Sequence, residues 1–142
     1  AQIAVRTIAL DAYADRPIGF VKIDVEGAEM SVLAGARALI ARQTPTFLIE
    51  IEERHHAGAI DEARRFFEAI GYQGWFARAD GLHPIELFDA NGMQDWSLFN
   101  AAAPRRSQAY INNFLFAPTG RVTDEYRWNV EVRLAHLSAD AA

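Results

Sequence analysis

The chain has no cysteine among its 142 residues, which excludes disulfides and thiolate metal sites while leaving its compartment open. It also lacks any apolar run near the ~18 residues that a membrane-spanning helix needs, and its opening Ala1-Gln2-Ile3 does not read as a signal peptide. Positive charge is not in surplus: the formal net charge is −5, which disfavours a nucleic-acid surface. These absences set the expectation of a chain with neither nucleic acid nor membrane as partner, cytoplasmic by default. What is present suits a globular protein. Hydrophobic residues make up 51% and charged residues 23%, and the length is that of about one domain.

The most informative stretch runs from Phe20 to Glu29. Phe20 to Val25 is rich in β-branched and aromatic residues and predicts a buried strand. From Gly27 towards Arg42 the spacing becomes helical, with Met30, Leu33 and Ile40 on one stripe. A strand thus turns directly into a helix. In an open α/β sheet such a junction sits at the carboxyl end of a strand, the edge where ligands are usually held. Lys22 and Asp24 share the face of the strand opposite Val21, Ile23 and Val25.

Before this stretch, Ile3 to Leu10 reads as extended, and Asp11 as the cap of a brief turn ending before Pro17. After it, Thr46 to Ile51 predicts a second strand whose end carries Glu50, Glu52, Glu53, His55 and His56. Ile60, Ala63, Phe67 and Ile70 trace a helix that Gly71 stops. Tyr72 to Ala77 predicts a third strand and Tyr110 to Ala117 a last one, antiparallel and paired with the third. The order strand, helix, strand, helix implies parallel pairing of the first two strands. Residues 78–106 read as a long irregular connection with turn signals at Asp80-Gly81 and Asn91-Gly92. In the tail, Trp128, Val130, Val132 and Leu134 alternate like a strand, while Val130, Leu134 and Leu137 fit a helix.

Phe20-Val21-Lys22-Ile23-Asp24-Val25-Glu26-Gly27-Ala28-Glu29, followed by Val32-Leu33-Ala34-Gly35-Ala36, resembles the core motif of the FkbM family of S-adenosylmethionine-dependent methyltransferases. That motif is a hydrophobic strand ending in Lys-x-Asp-Val-Glu-Gly-x-Glu and then Val-Leu-x-Gly-Ala. Thr7-Ile8-Ala9-Leu10-Asp11, Phe47-Leu48-Ile49-Glu50-Ile51 and Asn113-Phe114-Leu115-Phe116 extend the resemblance over roughly Val5 to Pro118. It implies an α/β fold, a partial Rossmann-like class I methyltransferase with a mostly parallel sheet and an antiparallel C-terminal strand. Residues 1–118 would be the C-terminal part of that domain and 119–142 a separate tail. S-adenosylmethionine is the implied cofactor, and a small molecule or sugar the implied methyl acceptor.

Methyl transfer needs two aligned reactants and, for a hydroxyl acceptor, a base that removes a proton. The resemblance carries Lys22, Asp24, Glu26, Gly27 and Glu29 over as motif residues without naming the base. Asp24 and Glu26 are the catalytic candidates and Lys22 their counter-charge; otherwise the two acids merely cap the helix. Glu29 reads as structural, a partner for Lys22 or for the first-turn amides. Glu50, Glu52 and His55 are the substrate-side candidates, with His56 beside them. No metal site is expected, because adjacent histidines seldom face one ion. Trp75, Trp96, Phe99 and Tyr110 wall an acceptor pocket or else belong to the core.

A complete member of this class begins with a strand and a glycine-rich turn that receives the cofactor. The nine glycines here form no Gly-x-Gly loop, and only Gly19 precedes Phe20. The expectation is therefore that the cofactor-binding half is absent and that the chain alone binds S-adenosylmethionine weakly or not at all. The strand Phe20 to Val25 would then have an uncovered edge, which predicts self-association. Two other readings stand beside this one. Asp24-x-Glu26 at a strand end also suits a metal-dependent nuclease or phosphatase, and the chain could be a non-catalytic α/β interaction module.

Overall fold

Alternation of apolar residues gives Thr46–Glu50 a face of Phe47 and Ile49 and Asn113–Pro118 a face of Phe114 and Phe116, and these faces build the core. The computed structural model describes residues 3–78, 80–95 and 110–122. A 3-10 turn (Leu10–Tyr13) leads into β1 (Phe20–Ile23), α1 (Glu29–Ala34), α2 (Arg37–Gln43), β2 (Thr46–Glu50) and α3 (Ala59–Glu68). There follow β3 (Tyr72–Arg78), β4 (Gly81–Pro84), a 3-10 turn (Ile85–Leu87), α4 (Ala90–Met93) and β5 (Asn113–Pro118).

The five strands form one sheet in the order β1-β2-β5-β3-β4. β1 and β2 pair in parallel, with Ile23 opposite Ile49. β5 pairs antiparallel with both β2 and β3, and β3 pairs antiparallel with β4. The expected mostly parallel sheet is corrected by this pairing, which is mostly antiparallel. The physical reason is insertion. β2 and β3 run the same way, since each opposes β5, but β5 lies between them and they never touch. The antiparallel last strand paired with the third is as the sequence predicts.

Four local expectations change as well. The buried strand expected from Phe20 to Val25 stops at Ile23, and only Ile23 in it is buried, because β1 stands at the end of the strand order among the described residues. The single helix from Gly27 to Arg42 is two helices, parted at Gly35 and Ala36. A side chain at Gly35 would lie 3.3 Å from the Ala9 Cβ, so the chain bends where the lead-in segment packs closely. Asp11 does not cap its own turn; its Oδ1 accepts from the Leu39 amide at 3.0 Å, capping α2 from across the chain. The connection after β3 is not irregular throughout, for β4, a 3-10 turn and α4 occupy residues 81–93. Trp96, Phe99 and the tail residues Trp128, Val130, Val132, Leu134 and Leu137 lie outside the described residues.

Helices α1 to α3 cover one face of the sheet, burying Leu33, Ile40, Ala63 and Phe67 against Ile23, Phe47, Ile49, Phe114 and Phe116. Phe67 stacks on Phe116 at 4.2 Å. That stack needs Gly74, where a Cβ would fall 2.8 Å from the Phe116 ring and 3.0 Å from Ile85. Among the described residues no helix is long and apolar enough to cross a membrane.

Candidate active site

Parallel register fixes the geometry of the site. With Lys22 opposite Leu48 and Ile23 opposite Ile49, the next residues in line are Asp24 and Glu50, at the carboxyl ends of adjacent strands. Side chains alternate between faces, so Lys22, Asp24, Leu48 and Glu50 fall on the same one. Asp24, Glu26, Glu29, Glu50, Glu52 and His55 converge on a pocket of about 70 Å³ that Arg54 also lines. The two acidic clusters of the sequence are one corner of the molecule.

Lys22 Nζ donates to Asp24 Oδ2 at 2.9 Å, with both side chains about half exposed. The pair orients the carboxylate more than it stabilises the fold, since exposed pairs contribute about 0–1 kcal/mol. Glu26 and Gly27 both take positive φ, 47° and 101°. For Glu26 this left-handed conformation costs about 1–2 kcal/mol. The resulting sharp turn carries the chain from β1 into α1. A Cβ at Gly27 would lie 3.2 Å from the His55 Cβ. The glycine of the motif therefore lets the loop after β1 touch the loop after β2. Glu29 is buried and accepts from the Gly27 amide at 2.8 Å, holding the turn from below.

Glu50 accepts from Asn112 Nδ2 at 2.5 Å. Glu52, 8% exposed, accepts from the Tyr110 hydroxyl at 2.7 Å, from Asn112 Nδ2 at 3.3 Å and from the Arg54 guanidinium. Burial pushes the Glu52 carboxyl up, but hydrogen bonds from Arg54, Tyr110 and Asn112 outweigh it and hold it down at about 2. Tyr110 moves the other way. Burial, with the hydrogen bond to Glu52, pushes its hydroxyl up to about 12. Glu52 is thus a fixed anion that organises its neighbours, with its oxygens already engaged by them.

His55 and His56 diverge. His55 packs over Gly27, whereas His56 Nε2 lies 3.4 Å from Glu62 Oε1 on α3. Among the described residues no group of three or more histidine, aspartate or glutamate side chains is placed to hold a metal ion. Tyr110 meets the site through Glu52 and Arg54, and Trp75 packs with Leu82 and Ala117 on the sheet face away from α1 to α3.

Several residues here were not legible in advance. Arg54 and Asn112 pair with Glu52, and the Gln94 side chain donates to the Ile51 and Ile111 carbonyls at 2.7 and 2.9 Å while accepting from the Glu53 amide. Glu53 accepts from the Gly58 and Ile60 amides at the start of α3. Its place just before a glycine and a helical stripe was the available signal. Gln94 carried none, being a single amide in the irregular connection, and Asn112, inside the predicted last strand, had nothing to set it apart from Asn113 beside it.

The family model described as methyltransferase FkbM domain matches residues 1–73. The matched span holds β1, α1, α2, β2, α3 and every residue of the acidic corner, and it ends short of the Asn113–Phe116 segment. Searches of curated proteins and of solved structures return no match.

Proposed function

The chain belongs to the FkbM methyltransferase domain family, and on that premise we propose that its acidic corner is the acceptor side of an O-directed, S-adenosylmethionine-dependent methyltransferase. The observation that carries this reading is the in-register convergence of Asp24 and Glu50 at the ends of two parallel strands. A hydroxyl seated there would give its proton to the Asp24 carboxylate as its oxygen becomes nucleophilic, with Lys22 holding that carboxylate in place. Glu50 and His55 flank the same space and would hydrogen-bond the rest of a small or sugar-like acceptor. Glu52, saturated by Arg54, Tyr110 and Asn112, would support the wall.

The acidic corner by itself does not enclose the cofactor. A pocket of about 70 Å³ is well below the roughly 300–1,000 Å³ in which ligands of that size are usually enclosed. S-adenosylmethionine supplies the methyl group when bound, and no group described here is assigned to holding it. In this reading residues 1–118 form the C-terminal part of a Rossmann-like domain, acting in the cytoplasm, with the cofactor held by structure beyond the described residues. The position of β1 at the margin of the sheet supports it.

The test uses the protein translated from the whole reading frame that contains this chain. Calorimetric titration is expected to show saturable S-adenosylmethionine binding. Asp24→Asn should keep that binding and lose about 10²–10⁴-fold in transfer to hydroxyl acceptors. Binding of Mn²⁺ without S-adenosylmethionine would move the assignment to the nuclease or phosphatase reading. Binding of neither would leave an interaction module.

A further inference from the structure

A second pocket, of about 320 Å³, opens at the far end of the sheet from Asp24. It runs along α2, from Arg37 at the start of that helix to Thr44 just past its end, against the end of α3 and the start of β3. Its walls are Ile40, Phe66, Ile70 and Tyr72, and Arg37 and Thr44 stand among them. Thr44 precedes β2 whereas Glu50 closes it, so the five residues of that strand separate the two pockets by roughly 15 Å. The pocket owes nothing to the acidic corner.

Its shape follows from the end of α2. Thr44 takes a left-handed conformation, φ 45° and ψ 51°, and Pro45 follows, so the chain leaves the helix sharply. The Tyr72 hydroxyl donates to the Pro45 carbonyl at 3.0 Å, and its ring becomes the floor. Ile70, 40% exposed, stands on the open side of this pocket. The Arg37 guanidinium lies 5.3 Å from the centre of the Phe66 ring. Arg42, Arg54 and Arg64 are each paired with a carboxylate, but Arg37 forms no ion pair among the described residues. Arg121 adds a second guanidinium at Thr44, donating to its hydroxyl at 3.1 Å.

An apolar cavity with positive charge at its mouth, on a chain whose net charge is −5, selects for an anionic head on an apolar body. We propose that this pocket binds a medium-chain aliphatic carboxylate, its chain against Ile40, Phe66 and Ile70 and its carboxylate on Arg37. The volume is at the lower end of the range for enclosed small ligands, which favours one short chain over a lipid with two. A planar guanidinium already resting on Phe66 offers a carboxylate two parallel donors with little further ordering.

Sodium octanoate and 1-octanol are the probes, titrated into the ¹⁵N-labelled chain and followed by amide chemical shifts. Octanoate is expected to give saturable shifts at Ile40, Ile70 and Tyr72, with octanol binding about fivefold more weakly. Arg37→Gln, at an exposed position, should keep the unfolding midpoint and remove the difference between the two probes. Equal affinity for octanoate and octanol on the unaltered chain would overturn the proposal. So would shifts that do not saturate, or shifts centred on Asp24 and Glu50.

Discussion

Gly27 and Gly58 separate two reasons for a glycine. Both have positive φ, 101° and 84°, but a Cβ at Gly58 meets nothing within 4 Å, whereas one at Gly27 comes within 3.2 Å of His55. Gly58→Ala is expected to cost about 1 kcal/mol from backbone strain alone. Gly27→Ala should cost about 1 kcal/mol more, because the loop after β2 must also move; equal costs in urea unfolding would show that the two loops do not depend on their contact. Glu52 adds a dependence on pH. Its folded pKa of about 2 lies below the ordinary 4.5, so its stabilisation is complete above about pH 4.5 and is lost as pH falls towards 2. The full difference would be about 3 kcal/mol; with Arg54 half exposed, solvent screening reduces this to about 1–2 kcal/mol. Glu52→Gln is expected to flatten the fall in stability between pH 5 and 2, and an unchanged slope in acid unfolding would remove Glu52 as its source. At this scale the motif acids and the pairing of Lys22 with Asp24 were legible, because charged residues on an apolar strand stand out. Two of the partners of Glu52 were not, since Asn112 and Tyr110 lie some sixty residues away in sequence.

The elements were legible where one face is apolar and obscured where contacts between distant segments decide. β2 and α3 follow their periodicity closely, β2 losing only Ile51 from its expected end. The break between α1 and α2 depends on Ala9, and the pairing of the sheet on the insertion of β5, neither of which a local window contains. Gly74 is of this second kind. Glycine within a strand usually weakens it, and by propensity alone Gly74→Ala should stabilise β3. In this sheet the added methyl would meet the Phe116 ring at 2.8 Å, in the stack with Phe67. The substitution is therefore expected to destabilise by about 1–3 kcal/mol, while amide shifts around Asp24 stay in place. A gain in thermal stability would mean that the Phe67 and Phe116 stack yields without cost.

At the scale of the molecule, the order of strands among the described residues leaves β1 at one margin of the sheet and β4 at the other. β4 comes from a hairpin with β3 and ends in a proline, a residue that blunts an edge because it donates no backbone hydrogen bond. β1 has no proline, and its one charged residue, Lys22, is paired with Asp24. Phe20 is 55% and Val25 39% exposed, and Ile3, Val5 and Ile8 before them are more than half exposed. A strand margin of this kind is a template for another strand, and Lys22 and Asp24 two positions apart allow an antiparallel copy to place each charge against its opposite. We propose that the isolated chain self-associates through this margin, beside the acidic corner. Light scattering at micromolar concentration is then expected to give a mass above that of the monomer. Phe20→Lys, which puts a charge on the margin without touching the core, should return it to the monomer with the unfolding midpoint unchanged. A monomer before substitution would mean that the margin of β1 is already covered by the chain itself, and then the loss of charge pairing in Lys22→Ala should leave the mass unaltered as well.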